Sequence, residues 1–179
     1  MPDPDIMPAD ELPQAQHRVV RFRDPHAALG HAVTQLMGKP GFAGLAFGPW
    51  SRVLVGQINR NQYMFVARGA RLVGFAGWAF APQAAAERWL AGQGDLDPAA
   101  TTGGDCMIIN AWQADDAAAH AFLRDQMRRA GRQARMIYGR RSYPDGRVRM
   151  LRLPVLSRAV EGHLARTPGA RAAPATPPD

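Results

Sequence analysis

Ten arginines crowd the stretch from Arg124 to Arg152, at positions 124, 128, 129, 132, 135, 140, 141, 147, 149 and 152, against only Asp125 and Asp145. A guanidinium is a planar fork of donors that stays protonated, so such a run suits carboxylate or phosphate groups. Arg124 and Arg128 stand one helical turn apart, and Arg135, Arg147 and Arg149 recur at strand-face alternation; with Arg132 they form the candidate partner-binding set. Other chemistries lack their residues. His17, His26, His31, His120 and His163 are scattered and give no HExxH or similar spacing, so no metal site is expected. No GxGxxG, GxxxxGK[ST] or GxSxG occurs, which removes the usual nucleotide-binding and α/β-hydrolase readings, and no bound cofactor is expected. The single cysteine, Cys106, permits no internal disulfide and reads as a small buried hydrophobe in a reducing compartment.

The chain that carries these residues has 179 of them, a length for one domain with a sizeable core. Hydrophobic residues make up 46% and charged residues 21%, as in soluble globular proteins. The net charge is +7, and among the 22 basic residues only Lys39 is not an arginine. That balance points to an anionic partner: nucleic acid, a membrane surface or an acidic protein. Only Tyr138 and Tyr143 interleave with the arginine run, which argues against base stacking and so against nucleic acid. No apolar run approaches the ~20 residues of a membrane span. The opening MPDPDIMPADELPQ is acidic and Pro-rich without a basic, then apolar, leader pattern, so a cytoplasmic location is expected.

The elements that must position these residues follow from periodicity and punctuation. Asp24-Pro25 starts a helix that carries Leu29, Ala32, Val33 and Leu36 and stops at Gly38. The glycine-rich segment 38–50 reads as a loop, and Ser51 as the cap of a second helix. Residues 62–67 and 72–80 read as a hairpin, and Pro82 opens a third helix ending near Ala91. Residues 106–109 barely alternate and read as a central strand. A long helix follows from Asp115-Asp116 to Ala130, then two strands, 135–141 and 147–153, around the turn Tyr143-Pro144-Asp145-Gly146. A last helix is predicted over 157–164. The reading is thus a single α/β (α+β) domain over 21–166, with flexible segments at 1–20 and in the Ala/Pro-rich tail 167–179.

Three segments together resemble the protein-lysine acyltransferases that activate RTX toxins. They are Leu29-Gly30-His31, then Asn61-Gln62-Tyr63 with the strand Leu72 to Ala79, then Gly104-Asp105 with Met107 to Trp112. The resemblance implies a GNAT-like fold with a mixed central sheet flanked by helices. It also implies an acyl carrier protein as the fatty acyl donor, an RTX-type protein as the lysine-bearing substrate, and a homodimer. The coenzyme-A signature [RQ]xxGx[GA] fails in Arg128-Arg129-Ala130-Gly131-Arg132-Gln133, where its last position is not small. Counted along the resemblance, the family's catalytic histidine falls on Phe42 and its catalytic aspartate on Asn110. Neither phenyl nor amide can act as a general base. His31, one helix earlier, matches a separate family position and is the remaining catalytic candidate.

Two functions are compatible with these residues. One is an acyltransferase with a rearranged site. The other is a catalytically inactive adaptor or structural subunit of a larger assembly, which binds an acidic partner through its arginines.

Overall fold

The computed structural model describes residues 16–96, 101, 103–143 and 145–155. Among the described residues eleven elements follow one another: β1 (His17–Val20), α1 (Pro25–Met37), α2 (Pro40–Ala43), α3 (Phe47–Asn59), β2 (Tyr63–Arg68), β3 (Arg71–Ala81), α4 (Gln83–Leu90), β4 (Cys106–Ala114), α5 (Ala117–Ala130), β5 (Met136–Ser142) and β6 (Val148–Pro154). The six strands form one sheet in the order β1-β2-β3-β4-β5-β6. Every neighbouring pair is antiparallel except β4 and β5, which are parallel and joined by the α5 crossover. The α/β, GNAT-like expectation therefore holds.

Local chemistry accounts for the element ends. Asp24 caps α1 by accepting from the His26 N–H at 2.9 Å, and Pro25 occupies the first turn where no N–H is needed. Asp116 caps α5 by accepting from the Ala119 N–H at 2.7 Å, which holds its carboxyl below the usual range with help from Arg68. Helices cover both sheet faces. On one, α5 packs Ala119, Leu123 and Met127 against Met64, Ala76, Trp78 and Met107. On the other, α1 and α3 pack Ala32, Leu36 and Leu54 against Phe65, Phe75 and Ala111, while α4 packs Ala86 and Leu90 against Ile108 and Tyr138. Burial of the large side chains among these, at about 1.5–3 kcal/mol each, is the main stabilising contribution.

Three differences from the sequence expectations concern boundaries. The sheet begins at His17, not Arg21, because HRVV adds an edge strand to β2. The 38–50 segment is not a loop throughout: Pro40 starts the short α2, and α3 begins at Phe47, ahead of Ser51. β4 runs on past Ile109 to Ala114, since its polar second half stays paired to β3. The helix predicted over 157–164, the tail 167–179 and residues 1–15 lie outside the described residues.

Candidate active site at the parting of two strands

β4 and β5 pair only over Cys106–Ile109 and Met136–Gly139. Beyond the Ile109↔Gly139 pair both continue, β4 to Ala114 against β3 and β5 to Ser142 against β6, without pairing to each other. Two strand edges that part in this way leave backbone donors and acceptors able to hold an extended chain with amide groups of its own. Asn110 is the first residue beyond the parting. It is also the extra residue of a bulge, because Gly77 pairs with Ala111 and Trp78 with Ile109.

The bulge brings Asn110 against α3. The buried Gln57 of α3 donates its Nε2 hydrogen to Asn110 Oδ1. Gln57 lies flat on Gly77, where any Cβ would overlap its amide, so glycine is the residue this approach requires. The Asn61-Gln62-Tyr63 segment locks the arrangement. Asn61 takes a left-handed φ of 55° to reverse the chain, Gln62 N–H donates to Gln57 O at 2.8 Å, and Trp78 N–H donates to Gln62 O at 3.0 Å beside the bulge. Tyr63 anchors the other end, its hydroxyl donating to Phe22 O at 3.2 Å. The motif therefore positions α3 over the bulge.

Gly104 and Asp105 do the same for the base of the parting. Gly104 has φ 143° and lies where a Cβ would collide with the Ala81 backbone. Asp105 pairs with Arg135 at 3.0 Å, and its carbonyl accepts from Arg135 N–H at 2.6 Å, which ties the starts of β4 and β5 together. Cys106 is fully buried, as expected, and burial with the neighbouring Asp105 carboxylate pushes its thiol pKa up.

The two positions expected to carry chemistry behave differently. Asn110 is at the parting; Phe42, in α2, is half-buried against the α1/α3 cluster with its ring 6.2 Å from Trp50. The segment around Phe42 exposes Met37, Leu45 and Phe47. His31 is stacked on Phe22 at 4.4 Å and faces Phe65 edge-on at 6.4 Å.

The candidate arginines are distributed over several surroundings. Arg135 is held by Asp105 and Arg147 by Asp145, at 3.0 and 2.6 Å. Arg128 pairs with Asp125 on α5 at 3.2 Å. Arg132 lines a shallow cavity of about 510 Å³ with Arg21 and Arg129. Arg149 stands opposite Arg141 in the β5–β6 ladder, so both project from one sheet face. Among the described residues Arg124, Arg141 and Arg149 form no ion pair. Arg141 and Arg147 flank the Tyr143 ring at 5.0 and 5.2 Å.

Two residues with chemistry were not singled out by sequence. Gln57 carried no signal, since a helix glutamine is ordinarily solvated. His120, on the first turns of α5, accepts the Trp112 indole N–H on its Nδ1 at 3.1 Å. Partial burial, then Arg124 and Arg141, lowers its pKa, so the ring is neutral near pH 7.

The family model for RTX toxin acyltransferases matches residues 22–152, from just after β1 into β6. The chain belongs to the RTX toxin acyltransferase family. The family match supports acyl transfer to RTX toxins as the class of activity. Among curated proteins no relative matches the chain. Within the described residues no helix of this family member is long and apolar enough to cross a membrane, and no cluster of His, Cys, Asp or Glu could hold a metal.

Proposed function

We propose that this protein transfers a fatty acyl group from an acyl carrier protein to lysine side chains of an RTX-type protein. The observation that carries the reading is the parting of β4 and β5 beside Asn110, in a chain of this family. The arm of a carrier protein is a thioester with amide groups, which match the free strand edges on either side of the gap.

Charge supports a carrier over free coenzyme A. The β4–α5 turn holds Asp115 and Asp116, and both are engaged internally: Asp115 with Lys39 at 3.1 Å and Arg71 at 3.2 Å, Asp116 with Arg68 at 2.8 Å. Asp116 already accepts from the Ala119 N–H at 2.7 Å, so a backbone donor that a pyrophosphate would use at this helix start is taken. Arg124, Arg141 and Arg149 suit the surface of an acidic carrier, where complementarity raises the rate of encounter. Like charges facing across a ladder, as Arg141 and Arg149 do, cost stability, and an anionic partner offsets that cost. The apolar side chains exposed around Phe42 offer a surface for the acyl chain or the acceptor.

The residues Phe42 and Asn110 favour a second reading, a non-catalytic adaptor that binds an acidic partner in a larger assembly, because neither can take a proton from a lysine ammonium. One experiment separates the two. Incubation with acyl-loaded carrier protein and an RTX-type acceptor, followed by intact mass, is expected to show the acyl increment on the acceptor. No increment, together with no gain from Phe42→His plus Asn110→Asp, overturns the transferase.

A further inference from the structure

The amide pair at the bulge has a directional consequence. Gln57 donates to Asn110 Oδ1, which leaves the two N–H groups of the Asn110 amide without an acceptor among the described residues. Asn110 is half-buried and adjoins the last β4–β5 pair, so the residue that carries these donors stands at the head of the gap. Gln57 is itself fully buried, and its Oε1 has no partner among the described residues. A buried amide in that state costs free energy that a purely structural role does not explain. Gly77 and the Asn61-Gln62-Tyr63 turn fix it there.

We infer that Asn110 is an oxyanion donor: its side-chain N–H groups bind the carbonyl oxygen of the acyl thioester, and Gln57 is the positioning residue that turns them toward it. This rests on the transferase reading above. The neutral lysine Nζ attacks the thioester carbon, the C–N bond forms, and the carbonyl π pair moves to oxygen, where the Asn110 N–H groups stabilise it. The pair returns, the C–S bond breaks, and the proton on nitrogen passes to the departing thiolate, giving amide and thiol. No ionisable side chain of the protein takes part in this step. The rate therefore rises with pH as the acceptor lysine loses its proton, toward ~10.4 for a free side chain, with no inflection near the ~6.5 of a histidine.

The test uses a carrier protein loaded with an acyl group labelled with carbon-13 at the carbonyl, and reads both the infrared carbonyl band of the bound thioester and single-turnover transfer. With the unaltered protein the band shifts to lower wavenumber. Asn110→Ala loses the shift and slows transfer by about 10²–10³-fold, the effect of removing one such donor. Asn110→Asp, isosteric but without N–H groups, loses the shift as well. Gln57→Leu weakens the shift with carrier affinity unchanged. Circular dichroism confirms folding of each variant. A shift without transfer to any acceptor sinks the transferase reading and leaves the donor role standing. Transfer without a shift, or a shift and rate retained in Asn110→Ala, overturns the donor role.

Discussion

Gln57 reaches Asn110 across the space that Gly77 leaves open, and the contact joins α3 to the bulge where β4 leaves β5. A helix, a glycine in one strand and the extra residue of another thus form one unit. Altering any of the three alters the parting of the strands.

Gly77→Ala places a methyl group on the Gln57 amide. Overpacking of this kind costs about 1–3 kcal/mol, and urea denaturation is expected to show a loss in that range. Gln57→Ala frees the space, so the double variant loses less than the sum of the single ones. Strict additivity would show that the two residues do not share the site.

His120 has its folded pKa lowered by partial burial and by Arg124 and Arg141. A histidine depressed in this way leaves stability unaffected above the unfolded value of ~6.5. Below it the unfolded state binds the extra proton, and stability falls until the folded ring also titrates. Thermal melts of the protein are expected to drop below pH ~6.5 more steeply than those of His120→Gln. The indole N–H resonance of Trp112 should move as the folded ring takes up its proton, below the unfolded value of ~6.5, because a protonated imidazole cannot accept its hydrogen bond.

Glu87 joins α4 to the β5–β6 pair. Arg152 donates to it at 2.9–3.2 Å and the buried Tyr138 hydroxyl at 2.9 Å, and these hold its carboxyl below the ordinary range. Burial, and then Glu87, push the Tyr138 phenol up to about 12. A carboxyl with a lowered folded pKa contributes stability that is present above its unfolded value of ~4.3 and is lost as pH falls through the folded value. Glu87→Gln is expected to flatten the acid limb of the stability curve below pH 5. Tyr138→Phe is expected to lower the melting temperature at neutral pH, and an unchanged melt would remove the hydroxyl from the bond.

Of the candidate arginines, Arg124, Arg132 and Arg149 form no ion pair among the described residues, and neither does Arg141, which faces Arg149 across the β5–β6 ladder. Their replacement by Gln is expected to slow carrier association at low salt, with little change at 0.5 M salt, where screening has already removed the steering. Stopped-flow association against ionic strength reads this. Equal rates for variant and parent at every salt concentration would place the docking face elsewhere.

Much of this architecture was legible in the residues. Asp24-Pro25 and Gly38 bound α1, Asp116 starts α5, and the apolar run at Cys106 is the central strand, because caps and burial are local signals. β1 was missed, since four residues beside a Pro-rich stretch make a strand only when β2 is there to pair with them. The α3 start was set too late because Phe47 and Gly48 look like loop residues until the aromatics pack. Asn110 was found through the family resemblance, whereas Gln57 became visible only with the bulge, a register event that no local pattern encodes. The arginines are a charge excess in the sequence; Asp125 and Asp145 pair with arginines two or three residues away, whereas the Asp105–Arg135 pair needs the starts of β4 and β5 to meet in space.

The most direct test is single-turnover acylation of an RTX-type acceptor by acyl-loaded carrier protein, followed by intact mass for the protein and for Asn110→Ala side by side. The expected result is an acyl increment with the unaltered protein and a rate about 10²–10³-fold lower with Asn110→Ala. Equal rates for the two, or no increment with either, would contradict the role assigned to the parting of β4 and β5.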